Sequence, residues 1–444
     1  MQKKYKKVIG AYFGLCLGAM SWAASQVVAA EVPPPKVVII WASYGNGHKS
    51  AGEGIKAEIL KANPEALVEF KDVRDFMGPL HRWYFEKGFK LTGDHPEYYD
   101  RWYQKLMRDG AEAQSVGKMP RVGDYQAQTM ADWVLESKPS VILSTFHHAT
   151  EVLVKLREEG MIPKNIPIGW QHTDYTDHKY FARIAQAIDM SFLPHPELEK
   201  SMIEKHGVNP SQVMTTGISV SQKFTQAWTP EEKSLFLKKK GLEPQRRTIT
   251  LMSGNAGTGD FPEIVRSLSE NIVEPIQIVA ICARNEKNYK NLLALQAKLP
   301  PSVKLKVEGF IPSDEVANYI RSSEIFIGKA GGLSSTETFV AQIPSIFLDN
   351  NGGQERFNIK FFEKEGLAQG VRSESEVGAL ANVLLTDQEL REKVVKNEGL
   401  FKNIIQPEKI AAWTLESASH YAQEQVKYGS VGGFDPCEIL YTEF

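Results

Sequence analysis

Cysteine is nearly missing from this 444-residue chain. Cys16, Cys282 and Cys437 stand alone and far apart, so no disulfide framework, thiol redox pair or cysteine-based metal site is expected. Charge imbalance is missing too. The formal net charge is −2, which removes any global drive towards nucleic acid and leaves a basic patch only local scope. Standard metal-ligand spacings are also lacking. Two stretches, Phe146-His147-His148 and Gln171-His172-Thr173-Asp174-Tyr175-Thr176-Asp177-His178, are rich in imidazoles and carboxylates but match no usual set, so no metal is expected. What remains is ordinary for a globular protein: 42% hydrophobic and 24% charged residues, over a length with room for two domains.

Charge is wholly missing from Val8 to Ala30, and Lys3, Lys4, Lys6 and Lys7 precede that run. Val28-Ala29-Ala30 fits a small-residue cleavage site before Glu31, so residues 1–30 read as a signal peptide. The uncharged run is also long enough to span a bilayer, for which about 20 apolar residues suffice, so a signal anchor is the alternative, weakened by Ser21, Ser25 and Gln26. Basic residues ahead of an apolar segment keep the N-terminus inside. Either form therefore sends the body of the protein to the periplasm or the outer face of the inner membrane.

Beyond the stiff Pro33-Pro34-Pro35 spacer, apolar runs alternate with helical patterns. Strands are expected at Val37–Ala42, Leu67–Val73, Ser140–Thr145, Ile166–Gln171, Met190–Pro194 and Val213–Thr216. A second series covers Thr248–Met252, Ile276–Ile281, Lys304–Gly309, Ile325–Gly328 and Ser345–Leu348. Alternation of this kind gives an α/β fold of two doubly wound domains with a site in the cleft between them. The charged stretch Thr229 to Arg247 separates the domains, placed at 36–235 and 245–410, with a helical tail at 411–444. One insertion, Pro79 to Arg108, interleaves eight aromatic residues with basic ones. It suits a membrane interface, where apolar bodies sink and polar tips stay wet, and it equally suits a helical pair packed on the first domain.

Three loops that follow strands could carry chemistry. Gly45-Asn46-Gly47-His48 supplies two glycines of G-x-G-x-x-G, but position 50 is serine, so the dinucleotide fingerprint is incomplete. Asp72 lies at a tolerable distance for a ribose. His48 opens a helix, whose positive end disfavours imidazolium; it reads as a neutral general base or as a plain capping residue. The loop Ser253-Gly254-Asn255-Ala256-Gly257-Thr258-Gly259 can turn backbone N–H groups towards a phosphate, or can be a tight turn. The third, Gly328-Lys329-Ala330-Gly331-Gly332-Leu333-Ser334-Ser335-Thr336-Glu337, makes another anion site at a helix start, with Glu337 suited to a ribose diol. Downstream, Gly353-Gln354-Glu355 offers an amide and a carboxylate to sugar hydroxyls.

In this order the motifs resemble the family of monogalactosyldiacylglycerol synthases and processive diacylglycerol glucosyltransferases, which is similar to glycosyltransferase family 28. The resemblance runs from Lys36 to about Ala411. Its anchors are Ser43 to His48, Thr173-Asp174, His178-Lys179, Gly207, Thr216-Gly217-Ile218 and the Gly254 loop, followed by Gly309-Phe310-Ile311, Lys329 to Gly332, Thr336-Glu337 and Gly353-Gln354-Glu355. It implies a GT-B fold and inverting transfer of a hexose from a UDP-sugar to a membrane lipid such as diacylglycerol, without a metal or a further cofactor. By the same resemblance His48 is the base, with Asp174 and His178 on the acceptor side. The donor is held by Gly254, Asn255, Gly257, Lys329, Gly331, Gly332, Leu333 and Ser334, with Glu337 on the ribose. Gln354 and Glu355 take the sugar, and Phe310 and Ile311 face the uracil. The family's proline before Gly-Gln-Glu is absent, replaced by Asn350-Asn351-Gly352. The resemblance also implies a cytoplasmic-face enzyme, against the exported reading of the leader. A lipid-II-type N-acetylglucosaminyltransferase, a UDP-sugar epimerase and an exported binding protein of the same fold share the motifs.

Overall fold

The run Val37-Val38-Ile39-Ile40 alternates nothing and is fully buried, as expected of a parallel strand covered on both faces. It lies in β1 (Lys36–Trp41), the start of a parallel sheet with β2 (Leu67–Asp72), β3 (Val141–Ser144), β4 (Ile168–Gln171), β5 (Met190–Leu193) and β6 (Val213–Thr215). The strand order is β2-β1-β3-β4-β5-β6. A second parallel sheet holds β7 (Arg247–Met252), β8 (Ile276–Ile281), β9 (Val303–Glu308), β10 (Ile325–Lys329), β11 (Ser345–Leu348) and β12 (Ala368–Val371), ordered β12-β11-β10-β7-β8-β9. The computed structural model describes residues 34–43, 47–94, 98, 100, 101, 103–105, 120–226, 228–254, 257–349 and 352–429. The leader, Gly45, Asn46, Asn255, Asn350, Asn351, residues 106–108 and residues 430–444 lie outside these.

The order in which strands are added reverses once in each sheet, between β1 and β3 in the first and between β7 and β10 in the second. Ligands of open parallel sheets sit in the crevice at such switch points, beyond the carboxyl ends of the strands. The loops after β1, β7 and β10 are the three glycine-bearing loops of the sequence, so topology alone carries all of them to these crevices.

Strand β12 was not expected. Its sequence, Ala-Gln-Gly-Val, is short and holds a glycine, and it pairs only at the sheet edge. The stretch after Thr229 is a capped helix, Pro230–Lys239. The Thr229 hydroxyl accepts the Glu232 amide, the Glu232 carboxylate accepts the Thr229 amide, and Leu237 is buried in the core beside the second sheet. The helix Pro407–Gly429 returns to the first sheet, where Ile410, Ala411 and Ala418 join Val37 and Ile39 in one cluster. It contributes core beyond the tail expected there. Gly169 makes room for it, since a Cβ would stand 2.9 Å from the Trp413 ring. Residues Pro35–Tyr421 form one compact unit, and among the described residues no helix is long and apolar enough to cross a membrane.

One buried charge-bearing group stands apart from the cleft. Glu398 is fully buried, and neither carboxylate oxygen has a hydrogen-bond partner among the described residues. Burial pushes its pKa well above the ordinary carboxylate value. A carboxyl with a raised folded-state pKa holds its proton in the fold, so its stabilising share is complete at low pH and drains away as pH rises past the unfolded value. Glu398→Gln is therefore expected to raise the thermal midpoint, by an increment that grows between pH 5 and pH 8. A midpoint series across that range, by calorimetry, checks it; a flat difference refutes it.

Candidate functional site

The helix Gly47–Ala62 starts directly after β1 and sets His48 in its first turn. His48 Nδ1 lies 2.6 Å from the Thr145 carbonyl oxygen at the end of β3, and the Thr145 hydroxyl donates back to the His48 carbonyl at 2.8 Å. A carbonyl only accepts, so Nδ1 carries the proton and Nε2 presents a lone pair. The Thr173 hydroxyl, 3.3 Å from Nδ1, and the Phe146 ring, edge-on at 5.0 Å, fix the imidazole plane. Burial lowers the His48 pKa to about 4, against a smaller raising effect of the Thr145 carbonyl. The side chain is a neutral acceptor of protons at pH 7, with its tautomer set by the backbone.

Around it stand further uncharged imidazoles. Burial brings His147 and His172 down to about 3 each and His178 to about 4. His172 stacks on Trp170 with ring centres 3.6 Å apart. His178 is chiefly structural: its Nδ1 accepts the Tyr180 amide and caps the helix Lys179–Gln186. Its Nε2 is buried with no partner among the described residues. No group of three or more histidine, cysteine or acidic side chains among the described residues is placed to hold a metal ion.

The second sheet faces this cluster through the helix Gly332–Val340, which follows β10. Thr173 and Asp174 press on its first turn. A Cβ on Gly332 would stand 1.8 Å from the Thr173 carbonyl oxygen, so only glycine fits. Leu333 is buried against the bare face of Gly47, which puts the starts of the His48 and Glu337 helices together. Two helix N-termini converging in one cleft make its backbone electropositive and receptive to an anion. Asn358 holds the same junction. Its amide oxygen accepts the Tyr175 backbone N–H at 2.9 Å, and its nitrogen donates to Asp174 Oδ1 at 3.2 Å and to the Ala330 carbonyl at 2.9 Å. Burial raises the Asp174 pKa to about 7, while the Asn358 bond works the other way.

Lys329 Nζ donates to Glu355 Oε1 at 2.6 Å, and that carboxylate raises the lysine pKa. The lysine stem crosses Gly254, where a Cβ would stand 2.9 Å from Lys329 Cε, and Gly254 has φ +59°. Gly331 borders the same pair. Gly257 faces away from it: a Cβ would stand 2.3 Å from the Cys282 carbonyl, and the Gly257 carbonyl accepts from Asn285 and Asn288. Gly257 is thus spent on packing the loop rather than on opening it. Ser334 and Gln354 are half-buried, the latter in the first turn of the helix Gly353–Glu365. Phe310 is 60% exposed beneath the Arg284 guanidinium, and Ile311 packs partly into the core.

Glu337 points back across the cleft. Burial raises its pKa to about 8, and the nearby Ser50 hydroxyl on the His48 helix works the other way by favouring the carboxylate. Ser50 is the residue that breaks the dinucleotide fingerprint, and here it lies near a carboxyl of the other sheet's helix. Asp72 is engaged locally, within its own half of the chain. Its carboxylate accepts from Ser43, from the Arg74 backbone at 3.0 Å and from the Arg74 guanidinium at 3.1 Å. Sequence reasoning missed Ser50, Thr145, Tyr175 and Asn358. Each is a polar residue whose meaning comes from a partner far away in the chain, and no local spacing announces that.

Residues 48–220 match the family described as monogalactosyldiacylglycerol (MGDG) synthase, and residues 248–406 match the glycosyltransferase family 28 C-terminal domain. A processive diacylglycerol beta-glucosyltransferase of Bacillus cereus is 26% identical over 379 residues, covering 84% of this chain and 91% of that relative. Among solved structures, MurG of Acinetobacter baumannii aligns with a TM-score of 0.55 at 13% identity, over 86% of this chain and 100% of that one. HepE of Anabaena, in complex with UDP-glucose, gives 0.50 at 13% identity, over 87% and 99%. The architecture is the GT-B fold.

The bare face of Gly332 yields a direct test. Gly332→Ala is expected to cost about 1–3 kcal/mol of stability by overpacking, and to release Thr173 from the cleft. Denaturant unfolding measures the cost, and an unchanged midpoint would contradict the close approach described.

Proposed function

We propose that this chain, whose residues 48–220 match the monogalactosyldiacylglycerol synthase family and whose residues 248–406 match the glycosyltransferase family 28 C-terminal domain, is an inverting transferase moving a hexose from a UDP-sugar to a membrane lipid such as diacylglycerol. The observation that carries the reading is His48: a neutral imidazole, with Nδ1 bound to a carbonyl and Nε2 left as the base, at the start of a helix facing the donor loops. The acceptor hydroxyl gives its proton to Nε2 as its oxygen attacks the anomeric carbon. The bond from that carbon to the diphosphate oxygen breaks, and UDP leaves with the electron pair from the opposite face, which inverts the centre. Charge on the leaving diphosphate is met by the N-termini of the two facing helices, by the Gly254 loop and by Lys329.

In this reading the first sheet and its helices, 36–235, form the acceptor domain, and 245–410 form the donor domain. Glu337 exchanges Ser50 for the ribose diol. Glu355 and Gln354 turn to the sugar hydroxyls, and Phe310 with Ile311 borders the uracil. Asp174 and His178 line the acceptor side. Leu80, Trp83 and Tyr98 are 73%, 56% and 54% exposed beside Arg82, Lys87 and Arg101. Apolar side chains among cations support contact of this segment with a membrane surface, and the apolar leader supports the same association.

A panel of UDP-sugars incubated with the protein and diacylglycerol vesicles should yield glycolipid, read by mass spectrometry. His48→Ala should lose about 10²–10⁴-fold in turnover, the range for a general base, and keep UDP affinity; near-full turnover would sink the role given to His48. A bound diphosphate is anionic and raises a neighbouring imidazole's pKa. The acid limb of kcat, which reports the loaded enzyme, is therefore expected at higher pH than that of kcat/KM, whose limb starts from the low value of the free protein, about 4. Coincident limbs in a pH-rate series would contradict this.

A further inference from the structure

The aromatic and basic insertion does more than face outwards. Asp100, which lies within it, reaches the helix that carries Gln354 and Glu355. Its Oδ1 accepts the Gly353 backbone N–H at 2.8 Å, and its Oδ2 pairs with Arg356 Nη1 at 2.9 Å. Arg356 is gripped from the other side by Asp349, at 3.0 and 3.2 Å. The backbone is shaped to admit the carboxylate. Gly352 has φ +62°, and a Cβ there would stand 2.6 Å from Asp100 Cβ. Three residues on, Tyr103 is 5% exposed, with its ring 6.0 Å from His178 on one side and 5.9 Å from Phe357 on the other. Tyr98 and Arg101, from the same stretch, stay exposed. The stretch therefore has an inner face, Asp100 and Tyr103, wedged between the His178 loop and the Gln354 helix.

The bonded atoms adjoin the sugar-contacting positions. Gly353 N–H is the first donor of the helix, immediately before Gln354 and Glu355, and Arg356 immediately follows them. A carboxylate that holds both ends of this tetrad fixes the direction in which the two intervening side chains project. It also satisfies an otherwise orphan N–H at the helix start, where the dipole favours an anion.

We propose that Asp100 is a positioning residue for the donor sugar, holding the Gly353–Arg356 turn so that Gln354 and Glu355 meet the hexose hydroxyls. This rests on the reading of those two residues as sugar contacts. It assigns part of the donor site to a segment of the first half of the chain, and it makes the effect specific to the sugar rather than to the nucleotide.

The test is titration calorimetry of the full chain with UDP, UDP-glucose and UDP-galactose. Asp100→Ala is expected to weaken the better-bound UDP-sugar about tenfold while UDP alone changes less than twofold. Asp100→Asn, whose amide oxygen still accepts from Gly353, should recover a good part of the loss. Arg356→Ala should behave as Asp100→Ala, and the double variant should lose no more than the worse single, as for partners in one interaction. Equal losses for UDP and UDP-sugar, or none for either, overturn the proposal. So does additivity of the two substitutions. If the unaltered protein binds none of the three ligands, the transferase reading fails instead, and this proposal falls with it.

Discussion

The cleft depends on one place where no side chain fits. The Thr173 carbonyl rests on the bare α-carbon of Gly332, and the rest of the junction follows from that approach. It brings Asp174 within reach of Asn358, lets Tyr175 bond the Thr336 hydroxyl at 2.6 Å, and sets Leu333 against Gly47. A methyl group at position 332 would move the Thr173 loop, and the same loop steadies His48 through the Thr173 hydroxyl. Contact between the halves and orientation of the His48 imidazole are thus one constraint, expressed at two ends of a single loop.

Electrostatics divides the cleft in two. On the first sheet's side, burial keeps His48, His147, His172 and His178 uncharged, so many imidazoles produce almost no field. On the other side the positive character comes from helix N-termini and from Lys329, already balanced by Glu355. In the proposed reaction an uncharged His48 takes the alcohol's proton on one side, and so gains its charge only as the anion departs on the other.

Much of the fold was legible in the sequence because parallel strands buried on both faces leave runs such as Val37–Ile40 that alternate nothing. Edge strand β12 was not, since an edge is half covered and Gly370 dilutes its signal. Loop placement was legible where it is local: glycines after strands lead to the switch points by topology alone. Pairings were not. Ser50 looked like a defect in a fingerprint until Glu337 appeared opposite it, and Asp72 looked available until Arg74 and Ser43 closed on it. Asp100 sat among aromatics that drew attention to themselves. Its partner Arg356 lies 256 positions away, a distance no periodicity can encode.

The return of the helix Pro407–Gly429 to the first sheet means that the chain passes between the two sheets twice, near Phe224–Thr229 and near Asn403–Gln406. The two passages touch. Lys402 Nζ donates to the Thr225 carbonyl at 3.1 Å, and the Gln406 amide donates to the Thr216 carbonyl at 2.8 Å. A body hung on one cord can swing and twist freely, whereas one hung on two adjacent cords can only fold about the line that joins them. Two adjacent crossings thus restrain the two sheets against twisting relative to one another, and His48 stays opposite the loops of the second sheet.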